Sequence, residues 1–300
     1  MGNRGRIHYR ATLSVKEESE LRDLRGLCEN GSVQEQKEAF TKIGELTGKL
    51  SPHKFKTYVE LSVRVIAKEL EKEDFDPELV KLVLDTLRES ITKYSKTSNY
   101  IKRDEVTAIY EIAKLVAESP RYNHEPELIL SAIQTINRAN SFGLSFTDET
   151  LDFYIEASGY FGNDSNSPEG NYRVPEAIAQ AFVATIACVR KAINPNENNA
   201  KEIEQKIAKT TELINALAGH KLDFIRKELA ISLGKVHYRD NNGSPTELKV
   251  NQAIDEAINR LEKDPSSGVA KVAETASTTR LLDKYTPRAP TTGTPGRSLS

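Results

Sequence analysis

Apolar residues along this chain return at steps of three, four and seven, the spacing of one face of a helix. The clearest sets are Val80, Val83, Leu84 and Leu87, then Ile129, Ala132, Ile133 and Ile136, then Ile178, Ala181, Phe182, Thr185 and Ile186. Ile225, Leu229 and Leu233 repeat the pattern, as do Val269, Val272, Ala273 and Ala276, with a fainter copy in Gln36, Ala39, Phe40 and Ile43. No stretch alternates long enough to predict a strand. Polar and charged residues fill the other faces, so the pattern predicts amphipathic helices packed on a shared core.

The punctuation between the apolar runs agrees. Of the twelve prolines, Pro52, Pro77, Pro126, Pro175, Pro245 and Pro265 stand where a first helical turn tolerates a missing N–H. Ser51, Asp76, Ser244 and Asp264 precede four of them as N-cap residues. Ser14 with Glu17, Ser32 with Glu35 and Ser244 with Glu247 have capping-box spacing. Together these predict helices over 15–29, 33–48, 53–72, 77–95, 102–118, 126–139, 147–159, 175–193, 197–218, 221–237, 245–263 and 265–284. Most connections are short, which makes neighbours antiparallel. The exception is the polar stretch 159–173.

The helices fall into six pairs. The second helix of each pair aligns on positions 36, 80, 129, 178, 225 and 269, with intervals of 44 to 49 residues. Pro-Glu recurs at Pro77, Pro126 and Pro175, two equal steps. Repeats of that length are the mark of two-helix arrays, whose units bury their apolar stripes only by stacking.

At this point the chain resembles the HEAT/armadillo class of helical repeats. The resemblance is carried by "LDFIRKELAISLGKV" (222–236) and "KDPSSGVAKVAETA" (263–276). Such repeats often place Asp-Pro before the second helix and a Val-Arg pair within it. Asp264-Pro265 matches the first feature and Ile225-Arg226 the second. Lys81, Leu130, Ala179 and Ala270 stand in the arginine position elsewhere, which leaves the family's Asp–Arg ladder without most of its arginines. The resemblance implies an all-α fold, a right-handed α-solenoid of about six antiparallel helix pairs. It also implies a concave surface lined by the second helices. Residues on those helices become the expected partner-binding set: Lys81, Arg88, Gln134, Arg138, Arg190, Arg226, Lys227 and Lys271. Tyr160, Phe161, Asn163, Asp164, Tyr172 and Arg173 belong to the long polar stretch, a candidate specificity loop because long loops in short-loop architectures are often functional.

Charge divides the chain into an arm, a body and a tail. The formal net charge is −2. Residues 1–14 contain Arg4, Arg6 and Arg10 and no acid, and 285–300 contain Arg288 and Arg297 and no acid, so the body 15–284 carries −7. We expect a basic flexible arm over 1–14, a helical repeat domain over 15–284 and a disordered Pro/Ser/Thr tail over 285–300. Thr286-Pro287 and Thr294-Pro295 suit a proline-directed kinase.

An acidic body disfavours nucleic acid as a partner. The basic residues of the second helices are interleaved with Asp85, Glu89, Glu228 and Glu274, and there is no Trp to stack on a base.

Chemistry is sparse. His8, His53, His124, His220 and His237 form no metal motif, and phosphate-binding and nucleophile-elbow glycine patterns are lacking. The acidic run Glu71–Asp76 fits no calcium loop and reads as a solvated turn. Cys28 and Cys188 are read as reduced and buried, which suits a cytoplasmic protein. No apolar run is long enough to span a membrane.

The expected function is therefore a non-enzymatic scaffold or adaptor that binds a protein or peptide segment, without cofactor or metal. A HEAT-like nucleic-acid binder is the alternative, and a helical enzyme with an unrecognised site is the third.

Overall fold

The computed structural model describes residues 12–96, 101–119, 125–140, 148–160, 173–192, 200–238 and 245–285. Every regular element among them is helical: α1 (Val15–Asn30), α2 (Val33–Leu46), a 3-10 turn (Thr47–Lys49), α3 (Pro52–Glu71), α4 (Pro77–Lys96), α5 (Arg103–Ala117) and α6 (Pro126–Asn140). There follow α7 (Asp148–Tyr160), α8 (Arg173–Ala192), α9 (Ala200–Ala218), α10 (Asp223–Lys235), α11 (Pro245–Leu261) and α12 (Ser267–Tyr285).

The helix starts have local causes. Ser14 and Ser32 accept hydrogen bonds from the Glu17 and Glu35 N–H groups, and each glutamate carboxylate returns to its serine's N–H at 2.7 and 2.8 Å, closing both capping boxes. Those bonds hold the Glu35 carboxyl below its usual range. Ser51 caps α3 ahead of Pro52, and the Asp76 carboxylate accepts from the Leu79 N–H at 2.8 Å at the head of α4. The third expected box, Ser244 with Glu247, falls partly outside the described residues. Two expectations shift. The first turn of α12 begins at Ser267 rather than at Pro265, with the Ser266 carbonyl accepting from the Ala270 N–H. Tyr160 and Arg173, both expected in the loop, are the last residue of α7 and the first of α8.

Packing follows parity. Each odd helix touches the even helix that succeeds it, and the even helices form an unbroken row in the order α2, α4, α6, α8, α10, α12. The odd helices pack as α1–α3–α5 and as α7–α9–α11. The six aligned positions all lie in the even row. Val80, Ile129, Ile178, Ile225 and Val269 are buried, while Gln36 is half-buried and donates its side-chain amide to the Cys28 carbonyl. On α4 alone Val80, Val83, Leu84, Leu87 and Ile91 are wholly enclosed. At roughly 1.5–3 kcal/mol per buried aliphatic side chain, that seam outweighs any surface ion pair between repeats, each worth about 0–1 kcal/mol. Phe55 of α3 stacks on Tyr94 of α4 with centroids 4.1 Å apart, joining the two rows.

Within the even row, neighbouring helices approach closely at glycine. A methyl group built on Gly234 of α10 would lie 2.9 Å from the Ala276 Cβ of α12, and one on Gly44 of α2 would lie 2.7 Å from the Thr86 Cγ2 of α4. No described helix is long and apolar enough to cross a membrane. Cys28 is buried, and burial pushes its thiol up to about 12.

Candidate functional site: a cleft across the even helices

The bonds between successive even helices repeat the sequence interval. Asp85 of α4 receives the Ser131 hydroxyl of α6 at 2.7 Å, and Arg88 donates to the Gln134 side-chain carbonyl, each pair 46 residues apart. Glu127 of α6 meets Arg173 of α8 at 2.6 Å, again 46 residues on. One arginine–aspartate pair links α10 to the turn before α12. Arg226 grips Asp264 with Nε–Oδ2 at 2.6 Å and Nη2–Oδ1 at 2.9 Å. Lys37, one residue past the aligned position of α2, makes the matching bond to Asp76 at 3.0 Å.

Burial pushes the Asp76 carboxyl up, but the Leu79 N–H and Lys37 together outweigh it and hold it below its usual range. The Arg226 hydrogen bonds hold Asp264 low in the same way.

In the middle of the row a shallow cleft of about 380 Å³ opens across α4, α6 and α8. Arg88, Gln134, Asn137, Arg138, Ala177, Gln180 and Ala181 line it. Its polar groups are held in place. The Arg88 Nη2 lies 3.0 Å from Asp85, whose other oxygen is 3.4 Å from the Lys81 ammonium. Asn137 accepts the Tyr154 hydroxyl at 2.7 Å and donates to the Ala177 carbonyl at 3.4 Å, tying α6 to α7 and α8. Ala177 and Ala181, one turn apart on α8, leave the depression between larger neighbours.

The expected partner-binding residues therefore divide. Arg88, Gln134 and Arg138 come together in the cleft, with Lys81 one α4 turn pair away behind Asp85. Lys227 and Lys271 are exposed on α10 and α12 but do not line it. Arg226 is taken up by Asp264 and by the His220 and Lys221 carbonyls, to which its Nη1 donates at 2.7 and 3.1 Å; it belongs to the scaffold rather than to an open surface. The side chain of Arg190 lies outside the described residues, as do those of Tyr160, Phe161, Asn163, Asp164 and Tyr172. Arg173 is described, and it is engaged by Glu127.

Asn137 and Gln180 complete the cleft without having been expected. An amide has no periodic signature, and the only sequence hint was the pair of small residues at 177 and 181. Among the described residues no group of three His, Cys, Asp or Glu side chains is placed to hold a metal ion.

Comparison with known proteins gives this geometry no name. No family model matches the chain, and no curated protein matches it. A solved structure of an engineered protein is similar over 88% of this chain and 97% of its own, at 16% identity and a TM-score of 0.49.

Proposed function

We propose that the chain is a right-handed α-solenoid of about six antiparallel helix pairs of the HEAT/armadillo kind, and that it works as a non-enzymatic scaffold. Its ligand is a segment of another protein laid across the even helices, which form the concave side. The observation that carries this reading is the α4–α6–α8 cleft, an open depression with pre-set polar side chains in the middle of an unbroken helical row. A broad shallow surface suits an extended chain, whereas small-molecule chemistry favours a concave pocket that encloses its ligand. Helices of about 18 residues offer faces roughly 27 Å long, enough for the ~800 Å² per partner of an ordinary protein interface.

Selection of a random-peptide display library on the immobilised full-length chain tests the reading. Enriched peptides that bind the free protein, and that lose affinity when cleft residues are replaced, are the expected result. Failure of any peptide to enrich, or enrichment insensitive to every even-row substitution, would overturn it. The nucleic-acid alternative predicts instead salt-dependent retention on duplex DNA that exceeds binding of any selected peptide.

A further inference from the structure

We infer that the chain is built as two bodies, α1–α6 and α7–α12, hinged at the α6–α8 contact, and that the bend of this hinge sets the width of the cleft. The inference goes beyond the scaffold reading and stands on packing alone. At every other boundary between helix pairs two layers hold, because the even helices touch and so do the odd ones. Between the α5–α6 and α7–α8 pairs the odd layer is cut. Among the described residues α5 and α7 lack the packing that joins α1 to α3, α3 to α5, α7 to α9 and α9 to α11. A two-layer slab cut through one layer bends about the layer left intact. That is a hinge in the ordinary sense: a few positions absorb the change while packed bodies on either side keep their shape.

The bonds of α6 show on which side of it the hinge lies. Toward α4, the buried Ser131 donates to Asp85 at 2.7 Å and Gln134 accepts from Arg88. Toward α8, the Asn137 amide donates to the Ala177 carbonyl at a longer 3.4 Å, and Glu127 meets Arg173 where both side chains are about half exposed. An exposed pair of that kind contributes about 0–1 kcal/mol. The rest of the junction draws on the buried apolar faces of the two helices, Ile129, Ile133 and Ile136 on α6 and Ile178, Phe182 and Ile186 on α8. Apolar contact is non-directional, so helices joined by it roll on one another without breaking a bond. Asn137 also accepts the Tyr154 hydroxyl at 2.7 Å, so one side chain of α6 reaches both helices of the next pair, as a pivot does. Within the second body the odd helices are tied again, by Asp152–Lys209 at 2.6 Å and Glu204–Lys249 at 3.1 Å.

The cleft lies across this hinge. Arg88, Gln134, Asn137 and Arg138 belong to the first body, and Ala177, Gln180 and Ala181 to the second. Packed helices stand roughly 8–10 Å apart, so a rotation of about 10° moves a wall one helix away by roughly 1.5 Å. That distance makes or breaks a hydrogen bond. Bending therefore changes which of the cleft's polar groups can be bridged by one ligand.

Spin-label distance measurements on the full chain test this. In a Cys188→Ser background the buried Cys28 stays unlabelled, and cysteines replace exposed residues in pairs. Glu60 with Glu111 reads α3 against α5, Glu156 with Glu212 reads α7 against α9, and Glu111 with Glu156 reads across the hinge. Expected is a Glu111–Glu156 distribution at least twice as wide as the other two, with a Glu89–Gln180 distribution across the cleft widened alongside it. Asn137→Ala should widen both further and leave the two pairs within the bodies unchanged, which also shows that the variant folds. Equal widths for the three odd-helix pairs overturn the hinge, whether all are narrow, as in a rigid rod, or all wide, as in a bend spread over every repeat. A wide Glu111–Glu156 distribution beside a narrow Glu89–Gln180 one overturns the link to the cleft, and indifference to N137A overturns the pivot. The free protein is measured, so the outcome is independent of whether any peptide is selected on it.

Discussion

Arg226 of α10 and Asp264 in the turn before α12 hold each other, and both also satisfy backbone groups. Asp264 accepts from the Ser266 N–H at 2.9 Å, and Arg226 donates to the His220 and Lys221 carbonyls in the turn between α9 and α10. Their side chains are 12% and 6% exposed, so solvent screens this pair far less than the surface pairs. Asp264→Asn removes the charge and keeps the shape, and it is expected to cost about 1–3 kcal/mol at neutral pH. The Asp264 carboxyl titrates below its ordinary range in the folded state. Its contribution is thus complete above the unfolded-state value of about 4 and disappears as pH falls through the folded value. Thermal melts from pH 7 to pH 2.5 should show the gap between wild type and D264N closing as the solution becomes acid. A gap that stays constant would mean the ionised carboxylate contributes nothing to stability. Cys28 gives a second expectation at this scale. In a Cys188→Ser background its buried thiol should ignore a disulfide reagent at pH 8 until the protein is denatured, whereas fast labelling of the folded chain would contradict the burial.

Helices pack here by shape, and glycine shows where. Alanine in place of Gly234 would gain about 1 kcal/mol of helix propensity, but its methyl group would sit 2.9 Å from the Ala276 Cβ and 3.0 Å from the Ala276 Cα. The neighbour is backbone and cannot swing aside, so α10 and α12 must separate. A net loss of roughly 1–3 kcal/mol is expected from overpacking, measured by urea unfolding; an unchanged or raised midpoint would show the contact to be loose.

Boundaries of this kind were legible where their causes are local. Ser14, Ser32 and Ser51 announce their helices within three residues, and the apolar steps of 80–87 and 129–136 identify the buried faces. Asp264 misled the reading of α12, because it looks like an N-cap beside Pro265 yet accepts from Ser266 and Arg226, a residue 38 positions upstream. Its rung was readable only once the repeat register placed 226 beside the next unit. The cleft was legible in Arg88, Gln134 and Arg138. Asn137 and Gln180 were not, since their place depends on the adjacency of α6 and α8 rather than on anything near them in sequence.

At the scale of the whole molecule, the unbroken even row is the structural fact on which the functional reading stands. Its middle presents the cleft, and its two ends carry the charged rungs, Lys37–Asp76 and Arg226–Asp264. The most direct measurement is hydrogen exchange of the full chain with and without a peptide selected on it. The account predicts slowed exchange in α4, α6 and α8 with no change in α1, α3 and α11, and loss of that protection in Q180E. Protection confined to the odd helices, or protection that survives Q180E unchanged, would contradict it.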